Sequence, residues 1–401
     1  MKNQEIKIAL ICFDNPFLKP SEGGKKAMMT RIKSLLQIDG IKLDVYLHNK
    51  IQEGFSDKIN INSAKIGTIK QYKMNTTINS LISKYPICVK KRYVSGCVNT
   101  LSKMYYDIAI YEGEQVSAYR IENKVNAKYH ILYMHDIESI YRKELALTQN
   151  KLIYKYANYL EAYRFKNIEK KIEYLFDQIW FISRDECEDF SKKITKKNKC
   201  IYMPLPTLEV AEQVVINNSH NILYIGDLTI RNNLLSLKWF IDNIFNKIQI
   251  EFEDISLNIV GRINDKDKKL LNNSKIHIFG YVDNLSSFYN NAAFVICPIL
   301  YGAGVKVKTL DALGRGQIVL TNKKGTEGTA LEHGKHLVAS DDIKELTDCC
   351  INILNNRNDY IYLAKNGLDF IKENHTISNQ TKIIDNQIHK LIFGEKLNFD
   401  N

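Results

Sequence analysis

Lys306 and Lys308 stand at the start of a helical pattern in which Val307, Leu310 and Gly314 share one face. Directly before them come an apolar run, Phe294-Val295-Ile296-Cys297, and a glycine-bearing turn, Tyr301-Gly302-Ala303-Gly304. A helix N-terminus disfavours cations by roughly 0.3–1 kcal/mol, so two lysines in the first turn imply that an anion is expected over them. Strand, glycine turn and helix start also present backbone N–H groups of the kind that cradle a phosphate. Gly302, Ala303, Gly304 and Val305 would carry those amides. An ordinary β–α connection with two solvated lysines fits the same residues, and this stretch alone leaves both readings open.

Three further polar clusters follow short apolar runs. Pro20-Ser21-Glu22-Gly23-Gly24-Lys25-Lys26 is a glycine loop leading into a helix. Gly23 and Gly24 allow close backbone approach to a ligand, but the loop is neither a dinucleotide fingerprint nor a Walker loop. Met134-His135-Asp136-Ile137-Glu138 places a histidine and two acids after a strand. His135 could orient a hydroxyl or phosphate or act as acid or base; the same residues read equally as a helix start capped by Asp136. Gly226-Asp227-Leu228-Thr229-Ile230-Arg231-Asn232-Asn233 offers one guanidinium, Arg231, suited to a bidentate grip on phosphate oxygens. Gly325-Thr326-Glu327-Gly328 adds a last glycine loop behind the Ile318–Thr321 run.

The elements that position these clusters alternate. Strands are expected at Ile6–Phe13, Lys42–His48, Asp107–Tyr111, Tyr129–Met134 and Gln178–Ser183, with helices over Ala27–Ile38 and from Arg184. Pro204-Leu205-Pro206 and a polar run to His220 interrupt this rhythm. It restarts with strands at Asn221–Gly226, Leu257–Val260, Ile276–Phe279, Ala293–Cys297 and Ile318–Thr321. Such alternation argues for parallel, doubly wound sheets, and the restart for two similar domains with a cleft between them. The expected division is 1–206, 207–376 and a terminal helical segment 377–401 packing back toward the first domain. Ligands of open α/β sheets lie beyond the carboxyl ends of strands, where all four clusters fall.

Composition bounds the class. The 401 residues are 45% hydrophobic and 25% charged, and no run approaches the roughly 18 apolar residues of a spanning helix. Eight scattered cysteines show no CxxC spacing, so neither a disulfide framework nor a metal site is indicated, and the expected location is the cytoplasm. The formal net charge of +11 suits an anionic substrate or an anionic membrane surface; no nucleic-acid reader motif accompanies it. In KLIYKYANYLEAYRFKNIEKKIEYLF, residues 151–176, aromatic and aliphatic side chains alternate with basic ones at helical spacing. This fits an interfacial helix or a soluble helix with one packed and one solvated face.

The order YIGDL…NN…WF, LNIVGR and IHIFGYVDNLSSFYNNAAFVICPILYGAGVKVKTLDALGRGQIVLTNKKGTEG, over about Asn221 to Leu346, resembles the C-terminal domain of family-4-type glycosyltransferases. The first half is similar more loosely, through Gly23-Gly24, His135-Asp136-Ile137-Glu138 and Trp180-Phe181-Ile182-Ser183. The resemblance implies a GT-B fold, two Rossmann-like doubly wound domains facing each other across a cleft. It implies a hexosyltransferase-type enzyme that moves a sugar from a UDP- or GDP-sugar to a glycan, lipid-linked or protein acceptor in cell-surface glycan synthesis. Retention of anomeric configuration, no metal and no cofactor beyond the nucleotide sugar are further implications, as is association with an inner membrane face. His135, Lys306 and Arg231 are the implied catalytic set; Gly23, Gly24, Gly226, Gly302, Ala303, Gly304, Val305, Asp311 and Glu327 the implied donor-binding set. Asp311 matches the second glutamate of the family's E-x7-E motif, while Ala303 stands where the first would fall. Asp227, Asn232 and Asn233 occupy positions around which the family carries an arginine–lysine pair. A catalytically silent partner of another transferase, or a nucleotide-sugar epimerase of the same fold, are the alternative readings.

Overall fold

The computed structural model describes residues 5–18, 23–49, 64–76, 80, 83–149, 151–271, 273–302 and 304–394. The chain divides into two compact units, one made of Met1–Pro206 and Ile377–Asn401, the other of Thr207–Thr376.

The first unit is built on seven strands: β1 (Ile6–Cys12), β2 (Ile41–His48), β3 (Ile66–Tyr72), β4 (Tyr106–Glu112), β5 (Ala127–Met134), β6 (Gln178–Phe181) and β7 (Cys200–Tyr202). Their order is β3-β2-β1-β4-β5-β6-β7, with every pairing parallel. The central strands are buried on both faces, which is why Ile8–Cys12 and Ile108–Tyr111 are apolar runs with no alternation. The helices needed here are α1 (Gly23–Gln37), α2 (Glu138–Leu147), α3 (Leu152–Leu175) and α4 (Arg184–Ser191).

The second unit repeats the plan with six strands: β8 (Asn221–Ile225), β9 (Ser256–Val260), β10 (Ile276–Gly280), β11 (Phe294–Cys297), β12 (Val319–Thr321) and β13 (Val338–Ala339). They lie in the order β10-β9-β8-β11-β12-β13, again all parallel. Helices α5 (Arg231–Phe240), α6 (Val307–Gly314) and α7 (Ile361–Asn374) belong to it. Its core gathers Leu257, Ile259, Phe294, Ile296 and Leu320 from the sheet with Leu237, Phe240, Ile244 and Phe245 from the segment that follows β8. The terminal helix α8 (Ile377–Phe393) belongs to the first unit. There Gln380 accepts from Ser34 Oγ of α1 at 2.9 Å and donates to Pro204 O at 2.9 Å.

In each sheet the strand order reverses beside its first strand, at β1/β4 and at β8/β11. At such switch points neighbouring loops diverge and leave a crevice beyond the carboxyl ends. The edge strands β3 and β13 and the terminal strand β7 of the first sheet are not among the expected elements: β3 buries none of its residues, and β7 and β13 are only three and two residues long.

Candidate active site

At the carboxyl ends of β8, β9, β11 and β12 the second unit forms a crown of interlocked loops. Gly226 N donates to Val260 O at 3.0 Å and Leu228 N to Arg262 O at 2.8 Å, so the loops after β8 and β9 are joined edge to edge. Gly261 makes this possible: a Cβ there would stand 1.9 Å from Gly226 O. From the other side, Ile299 N donates to Asn322 Oδ1 and Leu300 N to Ser236 Oγ, each at 3.0 Å. These bonds tie the loop after β11 to the end of β12 and to α5.

The glycine turn sits on this frame. Gly302 has φ of 112° and Gly304 of 72°, conformations that side chains with a Cβ rarely adopt. Lys306 closes the turn, donating from Nζ to Gly302 O at 2.9 Å and to Gly304 O at 2.6 Å. Its ammonium also lies 3.9 Å from Glu327, which pairs with Lys324 at 3.3 Å. The residue is only 9% exposed, so Lys306 is a built-in cation beneath the turn. Val305 is buried beside it, and α6 starts at the residue after Lys306 with no acid in its first turn.

Lys308 reaches back from α6, donating to Asn233 Oδ1 at 3.3 Å with its Nζ 5.3 Å from the centre of the Tyr224 ring. Asn233 in turn donates to Asp227 O at 2.9 Å. Burial, reinforced by the Lys306 charge, brings Lys308 down to about 8. Asp227 makes an ion pair with Arg262. Burial pushes this carboxyl up, but hydrogen bonds from Thr229 and Arg262 overcome that and hold it low. Arg262 keeps about half of its side chain exposed, so Asp227 aims a guanidinium that can still meet a ligand.

Of the residues singled out in the sequence, Gly302, Gly304, Lys306 and Glu327 are in direct contact, and Gly226 stands beside Asp227 in the same crown. Asp311 is half-buried one turn into α6, and Arg231 is exposed at the first residue of α5. Ala303 lies outside the described residues, as do Pro20, Ser21 and Glu22. Lys308 is the second of the two lysines over which the sequence places an anion, whereas Arg262 is given no site role there, although LNIVGR ends a strand with an arginine, where a ligand contact belongs.

The first unit carries its own constellation. His135, at the end of β5, is buried, and its Nε2 lies 2.7 Å from Glu112 Oε2 at the end of β4. Glu112 is flanked by Arg31 of α1, whose Nε stands 3.6 Å from Oε1. Arg31 is fully buried, with its guanidinium carbon 3.7 Å from the centre of the Tyr133 ring, a desolvated cation–π contact worth about 2 kcal/mol. Phe13 meets the His135 ring edge-on at 5.1 Å, and a Cβ on Gly24 would come within 3.1 Å of Phe13. His135 and the Gly23-Gly24 start of α1 are thus separated by one phenylalanine ring. The arrangement can hold an imidazole in fixed orientation beside a carboxylate, which suits recognition of hydroxyl groups.

Glu138 does not bond His135, and Asp136 does not cap α2. The N-cap is Ile137, and the first amides of the helix are taken by acids from elsewhere. Ile137 N donates to Glu186 at 3.3 Å, Glu138 N to Glu114 at 2.9 Å and Ser139 N to Glu169 at 2.9 Å. Burial raises the Glu114, Glu138 and Glu169 carboxyls above the usual range. Glu138 itself pairs with Arg142 at 3.3 Å. Glu112 takes the place beside His135 because β4 is the strand next to β5.

Residues 219–356 match the family model described as glycosyl transferases group 1. Among solved structures, the fold matches sucrose-phosphate synthase from Thermosynechococcus elongatus with a TM-score of 0.71 at 13% identity, covering 97% of this chain and 100% of that one. WaaG, a glycosyltransferase involved in lipopolysaccharide biosynthesis, matches with a TM-score of 0.65 at 14% identity, covering 96% and 100%. Residues 219–356 thus form a glycosyl transferases group 1 domain, and the whole chain has the GT-B fold of these glycosyltransferases. A point mutant of S. aureus TarM, solved with fondaparinux, α-GlcNAc-glycerol and UDP, has the same fold, with a TM-score of 0.66 at 11% identity over 96% of this chain and 99% of that one. In sequence, the transferase is 28% identical over 389 residues to an uncharacterized 44.6 kDa protein in the cps region of Klebsiella pneumoniae, covering 92% of this chain and 96% of that one. Among the described residues, no helix is long and apolar enough to cross a membrane.

Proposed function

We propose that the enzyme transfers a sugar from a UDP- or GDP-sugar to a glycan or glycolipid acceptor in cell-surface glycan synthesis, with retention and without a metal. The observation that carries this reading is the crown at the β8/β11 switch point. There a glycine turn, an acid-free helix start, buried Lys306, Lys308 and the aimed Arg262 collect positive potential from fixed groups. A departing nucleoside diphosphate gains negative charge as the glycosidic bond to phosphate breaks, and preorganised donors that meet this charge lower the barrier. Lys306, Lys308 and Arg262 supply the positive charge that a divalent ion would otherwise bring.

In this reading the acceptor oxygen attacks the anomeric carbon on the face the phosphate leaves, and the acceptor's proton passes to the departing phosphate oxygen. No protein base is required. His135, oriented by Glu112, serves to position the sugar and stabilise charge. The cps-region relative and the lipopolysaccharide enzyme support the assignment to surface glycans, and the UDP complex of TarM supports the donor class.

The test is thermal unfolding against a panel of nucleotides and nucleotide sugars, followed by transfer from whichever donor shifts the melt. A ligand at one hundred times its dissociation constant adds about 2.7 kcal/mol. A panel in which no uridine or guanosine diphosphate compound moves the transition would refute the donor assignment. Nucleotide stabilisation without transfer or hydrolysis would identify the silent partner instead.

A further inference from the structure

The amino ends of β4 and β5 border a cavity that the transfer chemistry does not use. It measures about 440 Å³ and lies at the opposite end of these strands from Glu112 and His135. That volume is within the roughly 300–1,000 Å³ of small-molecule sites, but such sites are mostly apolar and this one is not. Val125 and Ala127 are its only apolar members. Its one ring, His130, is buried against Tyr111, with 6.0 Å between the ring centres. A lipid tail finds no apolar surface here, and a nucleobase finds no open ring face to stack on. The lining suits an occupant that is polar on all sides.

The charges around the cavity are unbalanced, and the central one is aimed. Arg120 donates from Nε to the carbonyl of Leu175, the last residue of α3, at 2.7 Å, and from Nη1 to Asn123 Oδ1 at 3.4 Å. The carbonyl end of a helix favours a cation, which fixes the guanidinium in place. Among the described residues nothing bonds its Nη2. The turn beside it is equally fixed: Asn123 N donates to Arg120 O at 3.0 Å and Lys124 N to Tyr119 O at 2.9 Å, with Asn123 at a left-handed φ of 50°. Lys124 and Lys128 add two exposed ammonium groups to the lining. Against these three cations stands one carboxylate, Asp177, which commits Oδ2 to the His130 amide at 2.8 Å. Burial, and then the Arg120 charge, push the His130 imidazole down to about 4, so it adds no charge of its own.

We propose that this cavity binds a phosphorylated sugar as a ligand that is not consumed in the transfer. The free guanidinium edge and the two ammonium groups suit phosphate oxygens. The remaining oxygen of Asp177 and the exposed side chain of Asn126 suit sugar hydroxyls. A bare anion would leave most of the volume and the carboxylate unused, and a neutral sugar would leave three cations unpaired. Because Glu112 and His135 stand at the far ends of the same strands, the occupant is remote from the reacting groups. The proposal does not depend on the donor, because the site uses no residue of the crown that holds Lys306.

The experiment is calorimetric titration of the full chain with glucose 6-phosphate, glucose 1-phosphate, glucose and inorganic phosphate, each with and without excess UDP. Expected is binding of a sugar phosphate that UDP does not displace, with glucose and inorganic phosphate weaker or silent. A Lys124→Gln/Lys128→Gln variant changes only exposed side chains, so it should keep its melting temperature and weaken that binding about tenfold. Arg120→Lys keeps the charge but not the fork and should weaken it as well. No binding of either sugar phosphate, displacement by UDP, or undiminished binding to the double variant would each overturn the proposal. Inorganic phosphate binding as tightly as the sugar phosphates would leave an anion pocket without sugar recognition and equally overturn it.

Discussion

Replacing Lys306 by alanine separates a lysine that grips a ligand from one that merely braces a loop. Its ammonium donates to two carbonyls of the glycine turn, at 2.9 and 2.6 Å, and is 9% exposed. Hydrogen bonds from a charged group contribute about 1.5–3 kcal/mol each. Water can reach the half-buried Gly302 in the variant, so the net loss is about 2–4 kcal/mol instead of the full sum for two bonds. For a unit the size of Thr207–Thr376 this lowers the melting temperature by roughly 5–15 °C. The same substitution withdraws one preorganised donor from the developing phosphate charge, a loss of on the order of 3 kcal/mol or two powers of ten in rate. The assay is titration of UDP and GDP by calorimetry, with transfer kinetics, well below the variant's own transition. A lysine that only braces the turn would be rescued by cooling: below the transition, affinity and rate would return to the parent's. Parent-like nucleotide affinity and turnover in the folded variant would therefore refute the phosphate assignment.

Two other perturbations follow from the same geometry. Glu112→Gln leaves the fully buried Arg31 without its counter-charge and should destabilise the first unit by about 3–5 kcal/mol; adding Arg31→Met should restore the melt but not the turnover, since misplacing a positioned group costs about a hundredfold, and a double variant with full activity would remove His135 orientation from the mechanism. Lys308, held at about 8 by burial, loses its charge on the folded protein while the unfolded chain keeps the proton to about 10.4; because the unfolded state binds more protons across that window, stability should rise with pH there while nucleotide affinity falls, on the order of tenfold for one charge-assisted contact. Lys308→Met should flatten both trends, and calorimetric titration showing a pH-independent parent affinity from about 7 to about 10 would count against Lys308 as a ligand-facing cation.

Much of this enzyme can be read from its chain, and the parts that cannot share one cause. The buried strands β1, β4 and β11, and the second half of β5, appear as apolar runs because a parallel sheet covered on both faces needs no polar alternation. The glycine turn and Lys306 are legible because a cation at a helix start is locally anomalous. Glu112 and Arg262 are not legible in this way. Glu112 is 23 residues from His135, and Arg262 is 35 residues from Asp227; only the pairing of β4 with β5 and of β8 with β9 brings them together. The sequence drew attention to Arg231 because it is near Gly226 in the chain, whereas the arginine paired in the crown belongs to the neighbouring strand. The inward turning of Glu161 and Glu173 on α3 was equally hidden, since helical spacing gives the faces of a helix but not which neighbours claim them.

The two crowns differ in chemistry, and so in what each can hold. In the second unit the groups at the strand ends are cations and amide donors, which suit the oxygens of a diphosphate. In the first unit the strand ends carry Glu112, Glu114 and His135, with Glu138 opening the helix that follows; these can accept hydrogen bonds from hydroxyls but repel phosphate. Sugars are arrays of hydroxyl donors, so a carboxylate-rich crown suits a ligand of that kind. Burial raises Glu114 and Glu138 because no full counter-charge neutralises them. Arg142 partly compensates Glu138, and the amide of Glu138 partly compensates Glu114. Such under-neutralised acids gain most from a neutral, hydroxyl-bearing ligand, which satisfies their lone pairs without adding charge.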